Sequence, residues 1–211
     1  MASRYYDISR PLSAEMAVWP GDTPFECRAT GRRARGDSVN LSTLIMSAHT
    51  GSHADAPYHF TDDGPTIDAV ELSVYWGPAQ VVTVRKANGP LLPVDFAACD
   101  LGLAPRLLVH STASEADPRI FPGQFVYPSP ALADFLGARG IQLYGADAPS
   151  MDAADSQALP GHNAMRRNGI MILEGLDLSA VPDGVYELVA LPLRINGGDG
   201  SPVRAVLRTF E

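Results

Sequence analysis

The chain has 211 residues, 45% of them hydrophobic and 19% charged, an ordinary globular balance that argues against disorder. Its formal net charge of -8 disfavours a bare DNA or RNA binder, and the one short basic cluster, Arg32-Arg33-Ala34-Arg35, reads as a solvated loop. The length suits one domain over residues 1–211 rather than two.

The N-terminus, through Asp7, lacks the apolar stretch of a signal peptide, and no run approaches a membrane span, so the expected location is the cytoplasm. The two cysteines, Cys27 and Cys99, form no C-x-x-C pair and read as buried small hydrophobes in a reducing compartment. The abundance of Gly (19) and Pro (18) predicts many short elements joined by turns. In chain order, strands are expected over 5–9, 39–46, 79–85, 106–111, 141–144, 169–173, 185–193 and 203–210, all rich in Val, Ile, Leu and Tyr. Helical pieces are expected over 66–72, 93–99, 130–136 and 164–167, the third opening on Ser129-Pro130, a suitable cap and first turn. The sum is a strand-rich α/β domain whose loops can carry a site.

Residues 49 to 60 read His49-Thr-Gly-Ser-His53-Ala-Asp55-Ala-Pro57-Tyr-His59-Phe60 and hold three of the five histidines. Imidazole nitrogens beside a hard carboxylate oxygen are the usual donors for zinc and related divalent metals. The preceding run, 39–46, reads as a buried strand that delivers this segment as a loop at a strand end. Gly51 permits a bend, and Pro57 stiffens the exit. Further donors must come from elsewhere, and His162 and Glu174 are the candidates. His162 stands in a turn leading to a short helix, and Glu174 closes the apolar run 169–173, where an unpaired carboxylate is costly. His110 has no companion and reads as a strand-end histidine. Asp62, Asp63, Asp68, Asp147, Asp152 and Asp155 read as turn and cap residues. Trp19, in a Pro-Gly loop, suits stacking on an aryl ring. Phe60, Tyr58 and Trp76 are further aromatic candidates, with core packing the expected role.

The string from His49 to Phe60 resembles the signature of the cyclase-like metal hydrolase family, H-x-G-T-H-x-D-x-P-x-H-F, with Ser52 keeping the hydroxyl of the common Thr. The segments 6–12, 18–24, 159–162, 170–176 and 197–204 resemble other blocks of the family, so the likeness runs along nearly the whole chain. The resemblance implies a swivelling β/β/α-type single domain, with a barrel-like β core and peripheral helices. It implies hydrolysis of N-formyl-L-kynurenine to L-kynurenine and formate, in tryptophan breakdown by the kynurenine pathway, through metal-activated water. It also implies two zinc ions per subunit, with manganese the other option. His49, His53 and Asp55 would hold the first ion, Asp55 and Glu174 would bridge, and His162 would serve the second. His59 would shuttle the proton, Trp19 would contact the substrate, and the assembly would be a homodimer with no nucleic-acid or membrane partner. Two readings compete: a sister hydrolase that opens a cyclic amide such as isatin, and a metal-binding module without catalysis.

Overall fold

Short β-prone runs punctuated by Gly and Pro form thirteen strands and two α-helices among residues 3–210, the part that the computed structural model describes. The strands are β1 (Tyr5–Asp7), β2 (Glu26–Gly31), β3 (Leu41–Ile45), β4 (His53–Asp55), β5 (Trp76–Thr83), β6 (Gly89–Leu91), β7 (Arg106–His110), β8 (Val126–Pro128), β9 (Leu143–Ala146), β10 (Met171–Glu174), β11 (Gly184–Val189), β12 (Gly200–Pro202) and β13 (Val206–Thr209). The helices are α1 (Pro130–Gly137) and α2 (Pro160–Arg167).

Nine strands form one curled sheet in the order β1-β13-β11-β5-β7-β9-β10-β4-β12. β5, β7, β9 and β10 run parallel, and the flanking pairs are antiparallel. Each strand sends alternate residues to opposite faces, and both faces here are covered, so a central strand is apolar throughout. β7 shows this: Leu108 joins the core on one face, and Leu107 and Val109 join the core on the other, with Leu132, Leu136, Ala164 and Met165 of the helices. Burial on both faces is why this run was legible as a strand.

All eight expected strand runs overlap a strand, though β9 (Leu143–Ala146) shares only two residues with the expected 141–144, and 130–136 forms a helix. α2 begins four residues before the expected 164, and 66–72 and 93–99 form only 3-10 turns (Ile67–Ala69, Leu72–Tyr75 and Pro93–Phe96). The run 39–46 is a correction. It yields β3, which is largely exposed and pairs only with β2 in a separate hairpin, because no layer of the fold covers it. Cys27, expected to be buried, is exposed on that same hairpin. Tyr58 and Trp76 are exposed too and carry no core packing. Arg33–Arg35 form an exposed turn between β2 and β3, as a solvated loop should.

Candidate metal centre

The histidine segment is not wholly a loop. His49 lies in a turn, but His53–Asp55 is β4, inserted between β10 and β12. Three residues with two polar side chains carry little strand signal alone, and the ladder partners on both sides decide the conformation. The two-residue period then sets His53 and Asp55 on one face, while Ala54, fully buried, packs into the core on the other. Across the ladder, Glu174 pairs with His53 in register, so the end of β10 brings its carboxylate to the same place. Glycine is required at two positions here. A Cβ on Gly175 (φ 63) would stand 2.4 Å from the Gly51 carbonyl oxygen, and one on Gly200 would stand 2.6 Å from the His49 ring.

Four buried side chains converge. His53 Nε2 lies 3.4 Å from Asp55 Oδ1 and 3.4 Å from Glu174 Oε2. His162 Nε2 lies 3.5 Å from Asp55 Oδ2 and 3.4 Å from Glu174 Oε1. The outer nitrogens are held elsewhere: His53 Nδ1 faces the Gly51 carbonyl at 2.9 Å, and His162 Nδ1 faces Asp152 Oδ2 at 2.7 Å. Those acceptors favour N–H at Nδ1 in both rings, which leaves Nε2, facing the carboxylates, as the atom that takes either a second proton or a metal. His49 Nδ1 is 3.0 Å from Asp55 Oδ1, and its Nε2 is 3.0 Å from Asp199 Oδ2. His59, about a third exposed, puts Nδ1 at 3.5 Å from the same Asp199 oxygen, with its ring 4.0 Å from that of His49.

The donor chemistry fits a divalent cation. Asp55 Oδ2 and Glu174 Oε1 are buried with no hydrogen-bond partner, a costly arrangement for a carboxylate unless a cation is near. Among the described residues, donor atoms within 4.8 Å of one another form two sets, His49-Asp55-His59 and His53-Asp55-Glu174, with Asp55 common to both. Without metal, protons take the cation's place. Burial alone would depress His53, but Asp55 and Glu174 outweigh it and push it up to about 10. Burial acts likewise on His162, where Asp152, Asp55 and Glu174 prevail and push it up to about 12. Burial would raise Asp55, yet the rings of His162, His49 and His53 hold it well below the usual carboxylate range. His59 is the exception: burial dominates and holds it below the ordinary histidine value.

The structure thus gathers His49, His53, Asp55, His59, His162 and Glu174, and leaves His110 apart at the end of β7, facing Thr83. Sequence reasoning missed Asp199 and gave Asp152 too small a part. Asp152 does cap α2, accepting from the Gly161 and His162 N–H groups, and it also orients the His162 ring. The only available signal for Asp199 was its place among glycines, Gly197-Gly198-Asp199-Gly200.

The centre lies beside a cavity of about 370 Å³ at the carboxyl ends of the parallel strands, the usual place for a ligand in an open α/β sheet. His49, His53, His59, His162 and Glu174 line one side. Trp19 and Phe121, edge to face at 5.1 Å, line another, so Trp19 is in the wall as expected for a substrate contact. Phe60 instead packs near the His162 ring, at 5.2 Å. No helix among the described residues is long and apolar enough to cross a membrane.

Comparison with known proteins agrees with this geometry. The model of the Cyclase family matches residues 6–153. The chain is 43% identical, over 99% of both chains, to the kynurenine formamidase of Geobacillus thermodenitrificans. It superposes with a TM-score of 0.84 on a protein of Bacillus stearothermophilus described as a predicted metal-dependent hydrolase, 28% identical over 99% of each chain. It also superposes on isatin hydrolase A of Labrenzia aggregata, with a TM-score of 0.85 over 99% of this chain and 94% of the other; at 24% identity, that likeness speaks for the fold alone.

Proposed function

Because the chain belongs to the Cyclase family, we propose that it is a kynurenine formamidase (arylformamidase), hydrolysing N-formyl-L-kynurenine to L-kynurenine and formate in the kynurenine pathway. The chain is a hydrolase acting on a linear amide, and it uses a metal. One observation carries the reading: two buried carboxylates with orphaned oxygens face two oriented imidazoles beside an aromatic-walled cavity. A closed structural site has no need of such a cavity, which argues against the metal-binding module.

His49, His53 and Asp55 would hold one zinc ion and His162 a second, with Asp55 and Glu174 between them; manganese is the alternative metal. Asp55's membership of both donor sets supports its sharing between two ions, although those sets group His49 with His59 and His53 with Glu174. A metal bound there supplies Lewis acidity, polarising the formyl oxygen and activating water near neutral pH. The chain's own residues do the rest. Trp19 and Phe121 bind the aryl ring and exclude bulk water from that side. As water adds to the formyl carbon and the C–N bond breaks, the leaving arylamine nitrogen requires a proton. His59 borders the cavity and is kept neutral by burial, so its imidazole can take the water's proton and pass it to that nitrogen. Asp199, 3.5 Å from His59 Nδ1, can orient the ring.

We read the chain as one domain, since β1 and β13 join its two ends in one sheet. We also read it as a homodimer. A lone two-stranded hairpin is marginal in water, and β2–β3 exposes Val39 (54%), Leu41 (57%) and Leu44 (59%). Two unpaired cysteines fit the cytoplasm.

The test is kynurenine release from N-formyl-L-kynurenine by zinc-loaded protein, with a chelated sample and a His59→Ala variant alongside. The expected result is fast release that chelation abolishes, and a variant that keeps its metal but loses about 100- to 10,000-fold in turnover. If the variant lost its metal, His59 would be a ligand. No release from metal-loaded protein would move cyclic amides such as isatin to the front.

A further inference from the structure

Arg10 lines the cavity just beyond β1. Its backbone N–H donates to Ser52 Oγ at 2.9 Å, and that hydroxyl donates to the Gly175 carbonyl at 2.7 Å. Arg10 is therefore tied to the two segments that present His53 and Glu174. Its guanidinium donates from Nη2 to the carbonyls of Ala113 (2.9 Å) and Asp147 (3.2 Å), which fixes the plane of the group. Its Nε and Nη1 have no protein acceptor among the described residues, and no carboxylate forms an ion pair with it. The carboxylate of Asp147 is already committed: it accepts from the N–H and the hydroxyl of both Ser111 and Ser114, at 2.7–2.9 Å.

A half-buried guanidinium that is held in place, unpaired and in possession of spare donors suits an anion, which it would meet through a charge-assisted hydrogen bond. The nearby wall, Met16, Trp19, Ile120 and Phe121, is apolar; of the cavity's other carboxylates, Asp117 pairs with Arg119 and Asp22 accepts from the Thr23 N–H, and neither forms an ion pair with Arg10. We propose that Arg10 is a specificity-determining residue that binds the α-carboxylate of an amino-acid arm carried by the substrate, through a single charge-assisted hydrogen bond from one of its spare donors, Nη1 or Nε. This rests on the formamidase reading above and sharpens it. A neutral cyclic amide would leave the cation unpaired, whereas an aryl formamide bearing an α-amino acid satisfies it.

The experiment compares wild type with Arg10→Gln and Arg10→Lys, all zinc-loaded and shown to be folded. Two substrates are used, N-formyl-L-kynurenine and N-formyl-2-aminoacetophenone, which keeps the formanilide and ketone but lacks the amino-acid arm. Binding of L-kynurenine is followed by calorimetry, so that one readout does not depend on turnover. Arg10→Gln should cut the preference for N-formyl-L-kynurenine over the truncated substrate about 10- to 100-fold, chiefly through KM, and weaken L-kynurenine binding by a similar factor. Arg10→Lys should recover part of both. Equal losses on both substrates would make Arg10 a wall support and overturn the proposal, as would unchanged L-kynurenine binding. If wild type hydrolysed neither substrate but bound L-kynurenine in an Arg10-dependent way, the reaction would fall and the carboxylate site would stand.

Discussion

Replacing Asp152 with Asn exchanges one oxygen for NH2 in a buried side chain and removes one charge. In the native side chain Oδ1 accepts from the Gly161 N–H at 2.7 Å, and Oδ2 accepts from the His162 N–H at 3.0 Å and from Nδ1–H of its ring at 2.7 Å. Asn has a single acceptor oxygen, so in either orientation its NH2 must face at least one of these three donors. A hydrogen bond to a charged group is worth about 1.5–3 kcal/mol against about 0.5–1.5 for a neutral pair, and an unsatisfied buried donor costs about 1–3 kcal/mol. The metal-free variant should therefore lose about 2–5 kcal/mol of stability. The ring also loses the charge that holds its proton at Nδ1. Metal binding must displace the Nε2 proton and leave Nδ1–H, the tautomer that the Asp152 carboxylate favours, and losing such an orienting partner costs about 10- to 100-fold in affinity. Urea unfolding of the metal-free proteins and chelator competition for zinc measure the two effects separately. A folded Asp152→Asn variant that bound zinc within twofold of wild type would refute the orienting role.

Other outcomes follow from the same geometry. In metal-free protein His53 and His162 stand above their unfolded value near 6.5, at about 10 and about 12, so their stabilisation is complete below pH 6.5 and is lost as pH rises through those values. Chelated protein should melt lower at pH 10.5 than at pH 6.5, and zinc-loaded protein, in which the metal replaces the Nε2 protons that would be lost, should fall less; calorimetry on both forms checks the sign. Gly175→Ala combines a left-handed backbone with a Cβ 2.4 Å from the Gly51 oxygen, and should cost more than about 2 kcal/mol by urea unfolding. Leu41→Glu with Leu44→Glu should yield a folded monomer by light scattering, whereas an unchanged mass would place the dimer interface elsewhere or show that there is none.

The chemistry of this protein was legible because its donors are clustered in sequence. His49, His53, Asp55 and His59 announce a metal by residue type and spacing alone, and central strands such as β7 announce themselves because burial on both faces leaves an apolar run. Glu174 was legible for a related reason: a carboxylate that ends such a run needs a partner. Tertiary structure decided what local pattern cannot carry. His53–Asp55 becomes a strand only through ladders with β10 and β12, which come from far along the chain. Asp152 and Asp199 acquire their parts by facing rings distant in sequence, and as isolated residues they look like any turn aspartate. The apolar run 39–46 looked buried because hydrophobicity records a preference for being covered. Whether anything covers it depends on which layers the remaining chain, or a second copy of it, supplies.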